Sequence, residues 1–296
     1  MKCMKAPAVY AMALTVGALI STVGVLAVQS RPQPPKSPRL YLFDCGTLEG
    51  DPARFNLKRE EIATSNMSVS CYLVVHANGA LVWDVGAVPD IEVKTENQPT
   101  RHHLVIQSAE RYVTLAKSLK AQLAEAGYAP SDIRYVAFSH YHYDHTANAN
   151  AFASATWLVR QVERDAMFSD APPVNVQRAT FDALKNSKTV IIKSDDYDVF
   201  GDGSVVIKWA PGHTPGHQLL FVKLARTGPV LLSGDLYHYP EEVTLDRVPT
   251  FEFDAAETRR TRTAIDAFLK KNHAQLWMQH GLAENAARKK GPAFYD

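Results

Sequence analysis

Three imidazoles and a carboxylate fall within six residues in the run Ser139-His140-Tyr141-His142-Tyr143-Asp144-His145. His140 and His142 occupy alternate positions and can point one way, while Asp144 and His145 face a neighbouring point. Neutral imidazole nitrogen and carboxylate oxygen are the donors that a divalent, zinc-like ion takes. Standing alone, the run would read equally well as a solvated histidine-rich loop. Three further segments set it apart, each an apolar run that ends in a candidate ligand. Val205-Val206-Ile207-Lys208-Trp209-Ala210 leads into Pro211-Gly212-His213-Thr214-Pro215-Gly216-His217. Pro229-Val230-Leu231-Leu232-Ser233-Gly234 ends on Asp235, and Ala274-Gln275-Leu276-Trp277-Met278-Gln279 ends on His280. A strand followed by a ligand, four times over, is how an α/β sandwich gathers a metal site along one edge.

The elements that would position these ligands are legible in outline. Ile133-Arg134-Tyr135-Val136-Ala137-Phe138 alternates and predicts a short strand feeding the histidine run. Leu40-Tyr41-Leu42-Phe43 and Ser70-Cys71-Tyr72-Leu73-Val74-Val75 read as strands. Asn78-Gly79 predicts a two-residue hairpin turn into Leu81-Val82-Trp83-Asp84. Residues 109–126 have helical spacing and stop at Gly127, a natural C′ residue. Ala155-Thr156-Trp157-Leu158-Val159 predicts a strand, residues 162–168 a helix, and residues 255–271 a long polar-faced helix. Val199-Phe200 and Val205-Val206-Ile207 flank a turn at Asp202-Gly203. Periodicity alone supports a mixed α/β class.

The chain has 296 residues, 46% of them hydrophobic, enough for one large core or two modest ones. Lys+Arg 32 against Asp+Glu 31 leaves a net charge of +1, which argues against a nucleic-acid partner. Lysines followed by an uncharged apolar stretch over residues 6–28 have the shape of an export signal. The stretch is close to the roughly 20 residues that span a bilayer, and Leu26-Ala27-Val28-Gln29-Ser30 is a poor cleavage site. Residues 1–30 therefore read as a signal peptide or N-terminal membrane anchor, and residues 31–39 as a Pro-rich linker. Residues 40–296 read as the one folded domain that carries the candidate ligands. Either N-terminal reading places that domain in the periplasm or outside the cell, or anchored to the inner membrane. Beyond the signal only Cys45 and Cys71 remain, expected as two small buried residues rather than a pair, although an oxidising compartment would permit them to join.

These motifs resemble the metallo-β-lactamase superfamily from about Leu40 to the C-terminus. Its H-x-H-x-D-H motif is similar to His140, His142, Asp144 and His145, followed in order by His213, Asp235 and His280. The resemblance implies a four-layer αβ/βα sandwich (α/β, or α+β in some schemes). It implies two divalent ions, with zinc the default and iron, cobalt or manganese also compatible. By carry-over, His140, His142 and His213 hold one metal; Asp144, His145 and His280 hold the other; Asp235 and a hydroxide bridge them. Asp84 resembles the early aspartate that supports the ligand loop through hydrogen bonds. His217 is expected to be structural, and His76, His102, His103 and His273 surface or loop residues.

Within the superfamily, the segments 41–48 and 70–74 resemble the N-acyl homoserine lactonases. So do the long insertion between Gly86 and Asp132, Tyr197-Asp198-Val199-Phe200, and Gly212-His213-Thr214-Pro215-Gly216-His217-Gln218. That implies lactone ring opening by the bridging hydroxide, with Asp144 carrying a proton to the leaving oxygen. One position departs: the family's tyrosine three residues after the bridging aspartate is His238 here. Substrate contact is expected from His238 or Tyr239, with Tyr237 another phenol in reach. An exported class B-like β-lactamase, a glyoxalase II-like thioesterase and a non-catalytic metal-binding domain are the other readings. The substrate is a small lactone; oligomeric state is left open, a homodimer included.

Overall fold

The computed structural model describes residues 34–296, together with Met1 and Met4. Those two methionines aside, the expected signal or anchor over residues 1–30 lies outside the described residues, as do positions 31–33 of the linker. No described helix is long and apolar enough to cross a membrane.

Alternation starts the fold. In β1 (Arg39–Glu49), Leu40 and Leu42 turn to one side while Tyr41 and Phe43 turn to the other. Its antiparallel neighbour β2 (Asn66–His76) does the same, with Tyr72 and Val74 opposed to Cys71 and Leu73. The chain reverses at Asn78-Gly79 into β3 (Gly79–Trp83), as the turn chemistry predicts. β4 (Thr100–Ile106) and β5 (Ala109–Leu115) form a second hairpin. α1 (Leu119–Glu125), β6 (Tyr135–Ala137), α2 (Tyr143–Thr146), β7 (Thr156–Val159), α3 (Gln161–Met167) and β8 (Thr189–Ile191) follow. The path through this sheet is β4-β5-β1-β2-β3-β6-β7-β8.

A second sheet is built from β9 (Asp196–Asp198), β10 (Val205–Trp209), β11 (Gln218–Leu224), β12 (Gly228–Leu232) and β13 (Gln275–Trp277), in the order β13-β12-β11-β10-β9. Between β12 and β13 come α4 (Pro240–Thr244) and α5 (Ala255–Asn272), and after β13 α6 (Leu282–Ala287). The last strand, β14 (Phe294–Tyr295), returns to pair with β1.

The apolar residues sort into three layers. Leu40, Leu42, Tyr72, Val74, Leu81 and Trp83 of the first sheet pack against Val205, Ile207, Leu220, Val222, Val230 and Leu232 of the second. The outer face of the first sheet is covered by Leu119 and Leu123 of α1 and Met167 of α3. The outer face of the second is covered by Ile265, Phe268 and Leu269 of α5. Helix, sheet, sheet, helix is the four-layer sandwich expected. Each large buried side chain contributes about 1.5–3 kcal/mol to it.

Two expectations are corrected. Residues 109–126 are not one helix; the first part is β5, and only Leu119–Glu125 is helical. Val113 and Leu115 are buried at alternate positions, and β5 bonds to β1 through Thr47↔Thr114 and Leu48↔Val113, a long-range pairing that overrides local spacing. The Ser118 side chain caps α1 by accepting from the Ala121 amide, and Gly127 ends it at φ +86. The other correction is that Cys45 and Cys71 form a disulfide, with Cα atoms 5.9 Å apart. Cys45 lies two residues beyond Phe43, which pairs with Cys71, so strand alternation puts both cysteines on one face of the β1–β2 pair; the register shifts just after, between Asp44 and Thr47.

Closing the 26-residue separation with a covalent bond restrains the unfolded chain by about 3 kcal/mol. Reduction should lower the thermal midpoint by about 5 °C or more. Of the three cysteines in the chain, only Cys3 should alkylate before reduction. Labelling of Cys45 and Cys71 in unreduced, denatured protein would show that the pair does not form.

Candidate metal centre

The centre begins where β6 leaves the middle of the first sheet. Asp84, the residue after β3, adopts a left-handed φ of +52 and faces the parallel neighbour β6. Its Oδ1 accepts the Ser139 amide at 2.7 Å, and its Oδ2 accepts from His145 Nδ1 at 3.0 Å. One carboxylate therefore sets both the start of the histidine run and the tautomer of His145, leaving His145 Nε2 to face inward. The short helix α2 starts after His142 and carries Asp144 and His145 as buried side chains.

The other ligands arrive from the second sheet. His213 lies on the loop between β10 and β11, Asp235 just past β12, and His280 just past β13. Asp235 Oδ2 is 3.6 Å from His140 Nε2 and 3.4 Å from His213 Nε2, and His213 Nε2 is 3.1 Å from His142 Nδ1. Asp235 Oδ1 instead lies 3.1 Å from both His145 Nε2 and His280 Nε2. Asp144 Oδ2 completes that second set, 3.9 Å from His145 Nε2 and 3.7 Å from His280 Nε2. Two buried groups able to hold a metal result: His140, His142, His213 and Asp235; and Asp144, His145 and His280. Asp235 faces both.

The donor set fits divalent ions on its own terms. An ion with tetrahedral bonds of about 2.0–2.1 Å has ligand-to-ligand edges of about 3.3 Å, close to the separations here. His140 Nε2, His145 Nε2 and Asp235 Oδ1 are buried without a hydrogen-bond partner among the described residues, which is costly unless they bind something. Burial, then crowding by neighbouring imidazoles, holds His140 and His142 well below the usual histidine range. Burial does the same to His213, so these rings offer neutral lone pairs. Burial alone would raise Asp235, but His145, His280 and His140 outweigh it and keep the carboxylate ionised.

Supporting groups hold several of these residues. Glu252 Oε1 bonds His213 Nδ1 at 2.7 Å, and its other oxygen is bonded by the Thr258 hydroxyl. Ser68 carbonyl oxygen accepts from His280 Nδ1 at 2.7 Å. Glu163 on α3 accepts from the Tyr141 amide, the Thr214 hydroxyl and the Gly216 amide, joining the two histidine loops; burial raises its pKa to about 7. His217 is a support, as expected: its Nδ1 donates to the Ala210 carbonyl and its Nε2 accepts the Asp235 amide at 3.0 Å. The sequence reading missed Glu163 and Glu252. Glu163 carries no local signal, while Glu252 sits between Phe251 and Phe253, an apolar setting that could have marked a buried acid.

Above the centre opens a cavity of about 410 Å³, with His142, Asp144, Asp235, His238 and His280 on its wall. His238 is buried, stacked on His280 at 5.5 Å between ring centroids, with Nε2 3.1 Å from Asp235 Oδ2 and Nδ1 3.2 Å from Glu242 Oε1. Burial disfavours its charge, yet Asp235 and Glu242 outweigh this and raise its pKa to about 10. Glu242 is itself bound by Arg262 at 2.6 Å. Tyr239 departs from the expectation of substrate contact. Its hydroxyl donates to the Ser65 carbonyl at 2.7 Å, its ring packs on Phe55, and it does not line the cavity. Tyr237 is buried under the Arg262 guanidinium. Among the remaining histidines, His76 is buried rather than exposed, pairing with Asp202 at 2.9 Å; His273 caps the end of α5.

Residues 65–273 match the family model described as the metallo-beta-lactamase superfamily. The N-acyl homoserine lactonase AttM of Rhizobium radiobacter is 30% identical over 263 residues, covering 87% of this chain and 98% of that protein. The N-acyl homoserine lactonase AiiA of Bacillus thuringiensis subsp. kurstaki is 25% identical over 256 residues, covering 86% and 98%. An N-acyl homoserine lactone hydrolase solved with the product N-hexanoyl-L-homoserine at its catalytic metal centre shares the fold (TM-score 0.70, 23% identity, 87% of this chain and 99% of that one). AidC, a dizinc quorum-quenching lactonase, shares it at TM-score 0.63 and 15% identity, covering 90% and 96%. The chain belongs to the metallo-beta-lactamase superfamily and is similar, over most of its length, to that superfamily's N-acyl homoserine lactonases.

Proposed function

We propose that this protein is a dinuclear metallohydrolase that opens the lactone ring of N-acyl homoserine lactones, a quorum-quenching activity. The observation that carries the reading is Asp235, whose two oxygens face two separate ligand groups at the floor of one cavity. Similarity to the AttM and AiiA lactonases over 86–87% of the chain supports the substrate. His140, His142 and His213 would hold one ion, Asp144, His145 and His280 the other, and Asp235 both. Zinc is the proposed metal, since neutral imidazole and carboxylate suit it and AidC is a dizinc relative; iron, cobalt and manganese also take this donor set. Two bound ions supply Lewis acidity toward a carbonyl and a hydroxide near neutral pH. Asp144, on the cavity wall beside His280, is placed to carry a proton to the departing ring oxygen. His238, whose Nε2 faces the centre while Glu242 faces Nδ1, is assigned the hydrogen bond to the lactone carbonyl. The domain is proposed to act outside the cytoplasm, exported or anchored through residues 1–30; the apolar N-terminal stretch and the Cys45–Cys71 bond support this.

Purified protein should carry close to two transition-metal ions per chain by elemental analysis and open N-hexanoyl-L-homoserine lactone. Asp235→Asn should lose metal and activity far more than His103→Ala. Equal effects would mean that Asp235 does not bridge. In turnover of the same lactone, His238→Ala should cost roughly tenfold, a discounted oxyanion-donor contribution. Tyr239→Phe should cost less, since its hydroxyl serves Ser65; a larger loss in Tyr239→Phe would reverse the assignment. Residues 1–38 fused to a reporter active only outside the cytoplasm should give signal, and a silent reporter would remove the export proposal.

A further inference from the structure

The cavity wall also carries two guanidiniums that form no ion pair with a carboxylate among the described residues. Arg54 lies on the short turn of helix 52–55, its guanidinium stacked 4.5 Å over the Phe251 ring. Its carbonyl accepts both the amide and the hydroxyl of Thr250, which ties Arg54 to the segment bearing Phe251. Phe251 in turn packs edge-on against His213 at 5.7 Å and His238 at 5.8 Å, so Arg54 stands one ring away from the centre. Arg111, on β5, reaches the same cavity and donates only to neutral oxygens: the Glu110 carbonyl at 2.9 Å and Asn175 Oδ1 at 3.3 Å. The two cations are near enough to repel one another, and burial opposes the charge on Arg54 further.

Among the described residues no acid on the cavity wall forms an ion pair with either cation, although Asp144 and Asp51 favour the Arg54 charge at longer range. Glu49 is engaged by Arg101 through two bonds of 2.6 and 2.9 Å. Glu110 is exposed and accepts from the Tyr112 hydroxyl, and Asp51 is exposed and caps the Ala53 amide. Both arginines are half-buried, so leaving them without a directly paired carboxylate costs solvation that a wholly aliphatic ligand would not return. Planar guanidiniums with free N–H groups recognise carboxylate by paired, charge-assisted bonds. Leu48, Phe55 and Met67 line the cavity as well and could take the methylenes of a connecting arm.

We propose that this cavity selects lactones whose acyl arm ends in a carboxylate, held by Arg54 and Arg111 while the ring lies at the metal centre. The proposal rests on the lactonase reading and adds the class of its acyl arm. The arm's length is set by the span between the arginines and the ligands, and the pair acts in ground-state binding, so its loss appears in KM.

The test compares N-(5-carboxypentanoyl)-L-homoserine lactone with N-hexanoyl-L-homoserine lactone, arms of equal length that differ in one terminal charge. The metal-loaded enzyme should show a higher kcat/KM for the charged lactone, and added salt should shrink the preference. Arg54→Gln and Arg111→Gln should each lower the charged-to-neutral ratio about tenfold, chiefly through KM, the size of a charge-assisted hydrogen bond. Arg54→Lys and Arg111→Lys should keep part of the preference. A wild-type preference for the neutral arm, or ratios unmoved by both glutamine variants, overturns the proposal. If neither lactone is opened, the lactonase reading fails separately. Calorimetric binding of the two ring-opened acids then decides the arginine pair: tighter binding of the dicarboxylate, lost in Arg54→Gln, supports it, and equal binding of the two acids removes it.

Discussion

Asp235 is a buried carboxylate whose oxygens turn toward two different sets of imidazoles, and the arrangement around it is what the rest of the structure has to keep in place. A buried ionised acid is costly without partners. Here the compensation comes from rings delivered by both sheets. Its backbone is specified as tightly as its side chain. Gly234 precedes it at φ +46, and a Cβ there would meet His217 Nε2 and the Ser139 side chain at 2.6 Å. The close approach lets His217 accept the Asp235 amide and places the end of β12 against the start of the histidine run.

Three buried carboxylates that touch the ligand loops extend this logic outward. Asp84 holds the loop after β6, Glu163 joins that loop to the His213 turn, and Glu252 orients His213 itself. Each is buried and each is hydrogen-bonded, so the network sets ring orientation instead of leaving unpaired charge. His238 belongs to the same pattern. Glu242 and Arg262 fix it from behind, and its ring lies parallel to His280 at the cavity floor.

The Cys45–Cys71 bond bears on this network through Gly86. That residue packs against both sulfur-bearing side chains, and its carbonyl accepts the Ala147 amide just beyond the ligand helix α2. The neighbouring Val85 amide donates to the His145 carbonyl. The covalent link between β1 and β2 therefore lies directly beneath the turn that carries Asp84. The tie between the two strands becomes rigidity under the ligand loop.

The candidate metal ligands, which the fold gathers into two groups, were legible in the sequence because their evidence is local: rare residue types, short spacing, and an apolar run before each. β1, β2, β3 and the turn at Asn78-Gly79 were legible for a similar reason, since alternation and turn chemistry act over a few residues. What required the tertiary structure is whatever depends on which distant segment comes alongside. β5 reads as helix by spacing, and is a strand because β1 and β4 offer it partners. Cys45 meets Cys71 only because β1 pairs with β2 in the register that sets Phe43 opposite Cys71. Whether His238 or Tyr239 faces the centre turns on where Ser65 and Phe55 sit. Glu163, Glu252, Arg54 and Arg111 look like ordinary charged residues in one dimension. Their roles follow from burial and from missing or present counter-charges, and those are set by three-dimensional packing that no local pattern encodes.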